Sequence, residues 1–167
     1  MQASRMDKAN FVAVFGDIFE HSVWIAGQVW DSGLDASHDS AAGLHSAFAD
    51  VIHAANQNRK LSLLRAHPEL GLGMASEKEL TAASQAEQQG AGLDQCSADE
   101  FAEFQCLNES YRARFGFPFI MAVKGYSRGE ILEVFRKRLE NSREQEFQTA
   151  VEQVISIGLF RIESKFG

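Results

Sequence analysis

The feature that most constrains this chain is a helical spacing of apolar residues that runs almost from end to end, broken by only two prolines, Pro68 and Pro118. Phe11, Val14, Phe15, Ile18 and Phe19 follow the i, i+3, i+4, i+7, i+8 pattern of one buried helix face. Asn10 stands before them as a possible cap. Val23 to Trp30 is a second apolar segment, and DSGLDASHDS (31–40) reads as a loop by its Gly, Ser and Asp content. Leu44, Phe48, Val51, Ile52 and Ala55 form the next stripe. Asn56 to Arg65 is a further helical piece, with Leu61 and Leu64 as anchors. Ser76 with Glu79, Ser97 with Glu100, Ser127 with Glu130 and Asn141 with Glu144 have capping spacing, each ahead of a periodic run. The first of these runs extends to about Gln89. The second carries Phe101, Phe104, Leu107 or Asn108, and Tyr111 inward. The third carries Ile131, Val134, Phe135 and Leu139; the last carries Phe147, Ala150, Val151, Val154, Ile155, Gly158, Leu159 and Ile162. PFIMAVKG (118–125) is open to two readings, a short strand or irregular backbone. The expected fold is all-α: a single compact domain over residues 1–167, with about seven or eight helices crossing at unequal angles.

A chain of 167 residues sustains one sizeable core. Its net charge of −7 argues against a nucleic-acid partner, which requires clustered Lys and Arg. It leaves room for a small anionic molecule held by one or two placed cations. No apolar run approaches the ~20 residues a membrane span needs, so no membrane partner is expected. Arg5, Asp7, Lys8, Asp17 and Glu20 interrupt any signal-peptide core, and the final SKFG is not a peroxisomal address. Cys96 and Cys106 have neither C-x-x-C nor zinc spacing, which suits free thiols in a reducing compartment. A cytoplasmic location is expected. A homodimer is the base-rate assembly.

Polar residues break the pattern in four places. In RAHPELG (65–71), Pro68 stops the helix and pushes His67 out of the helical region. That is either punctuation or a way to hold an acid–base group still. Leu80, Ala83, Ser84 and Glu87 share one helix face, so Glu87 either lines a polar pocket or turns to water. GAGLD beyond it needs no more than a glycine C-cap at Gly90 or Gly92. In FGFPFIMAVKG (115–125), irregular backbone would need partners for its N–H groups, and a ligand oxygen is one solution. Arg161, one turn after Gly158, is either a snorkelling surface residue or a ligand contact. His45 and His53 lie about two turns apart, too far to share a metal unaided. They, His21 and His38 are assigned no ligand role.

His67-Pro68-Glu69-Leu70, the run LTAASQAEQQGAGL (80–93) and FGFPFIMAVKG together resemble the 2-oxo-4-hydroxy-4-carboxy-5-ureidoimidazoline (OHCU) decarboxylases of purine catabolism. FEHSVWIA (19–26) and IGLFRI (157–162) are similar to that family too, so the likeness covers essentially the whole chain. Glu69 is a departure, the family more often having Asp after His-Pro. The resemblance implies an all-helical fold, no cofactor and no metal. It implies a small-molecule substrate, the unstable product of 5-hydroxyisourate hydrolysis, which loses CO₂ to give (S)-allantoin. By match, His67 is the catalytic histidine, with Glu87 beside it. Pro68, Ser84, Gln85, Ala86, Glu87, Gln88 and the backbone of Phe119, Ile120, Met121, Ala122 and Val123 correspond to substrate contacts, and Arg161 to a substrate-binding arginine.

These residue types suit the reaction. The ring itself is the electron sink, so no pyridoxal, thiamine or metal is required. An imidazole suits the delivery of one proton to one face. Taken on the residues alone, the chain also fits a helical binding module whose 13 phenylalanines merely fill its core, and, more distantly, a metal-dependent hydrolase.

Overall fold

The computed structural model describes residues 1–71 and 80–167. Among these it has eight α-helices and no strand: α1 Lys8–Phe15, α2 Trp24–Asp31, α3 Ala41–Ala54, α4 Gln57–Ala66, α5 Ala82–Gly90, α6 Ala98–Phe115, α7 Arg128–Arg138 and α8 Arg143–Phe166. The all-α expectation is met. The Ser76–Glu79 capping pair lies outside the described residues. The chain divides into two compact units, residues 1–66 with 154–167, and residues 67–153. The helix α8 runs through both.

In the first unit α1 starts earlier than its apolar stripe suggests. Asp7 is its cap and accepts from the Asn10 N–H at 2.9 Å. Glycine closes the helix at Gly16, so the buried Ile18 and Phe19 sit on a non-helical turn. Phe11, Phe15, Phe19 and Phe48 form an aromatic core, with Phe11 and Phe15 centroids 4.8 Å apart. Leu63 and Leu64 are the buried leucines of α4, while Leu61 is half-buried.

Gly158 belongs to this core. A Cβ built there would lie 2.5 Å from the Phe19 ring. What comes close to this glycine is a phenylalanine ring, neither another backbone nor a ligand. Alanine in a helix gains ~1 kcal/mol over glycine, but overpacking a filled core costs ~1–3 kcal/mol. Gly158→Ala is therefore expected to lower the melting temperature, and a melt that rises instead would show that Phe19 has room to move.

In the second unit, Ser97/Glu100 and Ser127/Glu130 form the reciprocal capping boxes read from the sequence. The box that starts α8 is Ser142/Gln145, one residue beyond the expected pair: the Gln145 N–H donates to Ser142 Oγ at 3.2 Å and the Ser142 N–H to Gln145 Oε1 at 3.0 Å. The face of α6 toward the core carries Phe104, Asn108, Tyr111 and Phe115. Asn108, not Leu107, is the inward residue at that turn. Residues 117–123 are irregular and almost wholly buried, which settles their two readings against a strand.

Candidate active site

The α4 helix ends at Ala66 and His67 leaves it, as a proline at the next position requires. His67 is 8% exposed. The loop that follows is held by side chains of two helices. From α5, Gln88 accepts from the Gly71 N–H at 3.2 Å and donates to the Glu69 carbonyl at 3.1 Å. From α6, Asn108 donates to the Leu70 carbonyl at 2.8 Å. Arg112, one turn further, ion-pairs with Glu69 at 2.6 Å. Burial lifts the Glu69 carboxyl above its ordinary value; Arg112 offsets part of this and Glu109 adds to it. Gly71 adopts φ +71°, and a Cβ there would meet the Phe104 ring at 2.5 Å. Only glycine combines that backbone with so close an aromatic neighbour. Proline punctuation and side-chain clamps therefore act together on one short loop.

The α5 helix is capped by Thr81, whose hydroxyl accepts from the Ser84 N–H at 3.2 Å. Its buried line runs through Ser84 and Gln88, one turn apart. Glu87 and Gln85 are half-buried, and Ala86 is exposed. The expected stripe through Leu80, Ala83, Ser84 and Glu87 is thus rotated toward Gln88. Glu87 neither turns fully to water nor lies in the core. Because Gln88 follows Glu87 and Glu69 is two residues from His67, the Gln88 clamp joins the segments that carry both. Gln88→Leu is expected to leave the buried Gly71 N–H unpaired, at a cost of ~1–3 kcal/mol read in a denaturant melt. An unchanged melt would show that the loop holds without it.

The third segment is the irregular backbone at 119–123. Phe119 stacks on Phe135 of α7 with centroids 3.8 Å apart, and Tyr111 meets its ring edge-on at 5.5 Å. The Ala122 N–H donates to Gln153 Oε1 at 2.9 Å. No acceptor among the described residues pairs with the N–H groups of Phe119, Ile120, Met121 or Val123. Buried donors of this kind are rarely left without a partner, so they mark a place for a ligand oxygen or water. One face of α6 thus braces both segments: Phe104 and Asn108 under the His67 loop, and Tyr111 under Phe119.

Arg161 belongs to the first unit and is not a surface residue. It is 5% exposed, pairs with the equally buried Glu20 at 3.0 Å and donates to the Ile18 carbonyl at 2.8 Å. Two of the other histidines have structural partners: His45 donates to the Ile155 carbonyl at 2.8 Å, and His38 lies on the Asp35 carboxylate at 2.9 Å. Among the described residues, no group of three or more His, Cys, Asp or Glu is placed to hold a metal. None of their helices is long and apolar enough to cross a membrane. An open cavity of about 730 Å³ in the first unit, lined in part by Gln28, Asp31, Asn56 and Arg59, contains none of these residues.

The pinned histidine loop, the Ser84–Gln88 face and the buried 119–123 backbone lie within a stretch that the OHCU decarboxylase family model matches from residue 4 to residue 163. The chain belongs to the OHCU decarboxylase family. It is 43% identical over 160 residues to the 2-oxo-4-hydroxy-4-carboxy-5-ureidoimidazoline decarboxylase of Halalkalicoccus jeotgali, covering 96% of this chain and 87% of that one. It is 41% identical to the decarboxylase of the same name from Haloferax volcanii, covering 99% and 94%. Among solved structures it is similar to an OHCU decarboxylase crystallised in the presence of (S)-allantoin, with a TM-score of 0.71, 25% identity and coverage of 96% and 99%. It is also similar to an (S)-allantoin synthase, with a TM-score of 0.76 and 27% identity, covering 98% of this chain and 52% of that one.

As an OHCU decarboxylase relative, the chain has polar supports that sequence reading missed. Arg138 and Glu146 look like surface charges near helix ends, yet they are 7% and 0% exposed. The missed signal was periodic. Glu146 stands four residues before the buried Ala150 and eight before Val154, and Arg138 three after the buried Phe135.

Proposed function

We propose that this chain catalyses the cofactor-independent decarboxylation of OHCU to (S)-allantoin and CO₂ in urate breakdown, with His67 as proton donor. The observation that carries the assignment of roles is the buried imidazole on a non-helical loop, clamped by Gln88 and Asn108 and placed by Pro68, in a chain of this family. The bond between the ring carbon and its carboxylate breaks, and CO₂ departs. The electron pair stays on the ring carbon and spreads into the adjoining C=N or C=O. Protonated His67 then gives its proton to that carbon from one face, which fixes the product's hand. Glu87 hydrogen-bonds the ureido or ring N–H groups, or steers His67. Ser84 lies beside it on α5, with Gln85 and Ala86 flanking. The amides of Phe119, Ile120, Met121 and Val123 receive the oxygen that gains negative charge, an arrangement suited to charge that develops in the transition state. Gln88 acts on the reaction through the His67 loop it clamps. Arg161 carries the anchoring role that the resemblance implies. The two free cysteines suit a reducing, cytoplasmic setting, and a homodimer is the assembly to test for first.

The test is OHCU consumption and CO₂ release by the purified protein, set against spontaneous decay. An accelerated, saturable loss of OHCU with stoichiometric CO₂ is the expected result. Decay at the buffer rate would refute the assignment.

A further inference from the structure

We propose that Arg138 and Glu146 are positioning residues for this reaction, holding the 119–123 backbone in the orientation its amides need. The inference rests on the reading above, in which those amides face the substrate. The Arg138 guanidinium, at the end of α7, is fixed on three sides. Its Nε and Nη2 donate to Glu146 Oε2 at 3.0 and 2.9 Å. Its face lies over the Phe119 ring, 4.4 Å from the centroid. Its remaining nitrogen, Nη1, donates to the Ile120 carbonyl at 2.5 Å. Glu146, in the first turn of α8, is itself held by the Tyr111 hydroxyl and by Asn141 Nδ2, the latter at 2.9 Å. Burial and the neighbouring carboxylate raise the Tyr111 hydroxyl far above its usual range, so it stays a donor.

The consequence for the amides follows from peptide geometry. Every peptide bond among the described residues is trans, and a trans peptide is planar, with its C=O and N–H pointing in opposite directions. Arg138 fixes the direction of the Ile120 carbonyl, so it also fixes the direction of the Met121 N–H, away from the guanidinium. The next peptide is fixed by the Ala122 N–H on Gln153. Met121 thus presents an amide with no acceptor among the described residues, aimed by the buried ion pair that joins α7 to α8. A buried pair of this kind contributes little net stability compared with apolar residues of similar size, so fixing this peptide is a role that stability alone does not account for.

The test is the double variant Arg138→Met/Glu146→Leu, which removes both charges together and leaves neither unpaired. It is expected to melt near the wild type, to keep KM for OHCU, and to lose ~10–100-fold in kcat, as misplacement of a group that acts in the transition state predicts. A folded double variant with wild-type kcat, or one with only a raised KM, would overturn the proposal. Should it not fold, Tyr111→Phe decides, since it keeps the ring and both charges: lowered kcat at unchanged KM supports the proposal, and wild-type kcat overturns it. His67→Asn is run alongside. If it is dead while the network variants are fully active, this inference fails alone; if it is active, the reading beneath it fails.

Discussion

His67→Asn is expected to fold as the wild type does and to turn over freshly generated OHCU ~10²–10⁴-fold more slowly, the usual contribution of a positioned acid or base. Asparagine approximates the shape of the imidazole and can hydrogen-bond, but it has no proton to give at neutral pH. The loop has supports besides the imidazole. Pro68 ends the helix, Gln88 and Asn108 hold the carbonyls of Glu69 and Leu70, and Gly71 fits under Phe104. The variant therefore separates chemistry from scaffold. The measurement is kcat on OHCU generated in place, with a melt to confirm folding. A folded variant that keeps wild-type kcat would remove His67 as proton donor.

The second large effect is on stability. Arg161→Met is expected to cost ~3–5 kcal/mol, because it strips its ion-pair partner from Glu20, a carboxylate only 5% exposed. The guanidinium's hydrogen bond to Ile18 is lost as well. Adding Glu20→Gln is expected to restore part of the stability, since the amide carries no charge to leave unpaired. Activity separates two roles. If Arg161 also touches substrate, the restabilised double variant stays impaired, with KM for OHCU raised. If Arg161 serves only its unit's core, activity returns with stability. Denaturant melts and steady-state kinetics on the two variants decide between these.

Much of the fold could be read from the chain because its helices obey local rules. Ser97/Glu100 and Ser127/Glu130 are capping boxes in sequence and in structure, and the Phe11–Phe15 and Leu44–Phe48–Ile52 stripes are buried as spaced. Errors came where two local choices compete. Asp7 and Asn10 are both good caps, and the chain uses the first, with Asn10 donating to it. Ser142/Gln145 displaces Asn141/Glu144 because Asn141 turns its amide onto the buried Glu146.

The course of the chain at His67 was legible for a different reason. A proline after a histidine constrains the backbone directly, so the place of His67 follows from covalent geometry. What periodicity does not carry is which charged residues pair in the interior. Glu20, Arg138, Glu146 and Arg161 are buried because each finds an opposite charge, Glu20 and Arg161 from opposite ends of the chain and Arg138 and Glu146 across the turn between α7 and α8. Composition counts them as surface. The exact face of α5 was also beyond spacing: the register differs by one residue, and it is Gln88, not Glu87, that the loop backbone selects.

The most direct test of the central claim, that an immobilised imidazole delivers one proton to one face of the decarboxylated ring, is circular dichroism of the allantoin formed from freshly generated OHCU. Wild-type protein is predicted to yield the (S) enantiomer in excess while substrate is being consumed, with the His67→Asn reaction relaxing to racemate. Racemic allantoin from the wild type, or an undiminished (S) signal without the imidazole, would contradict the account.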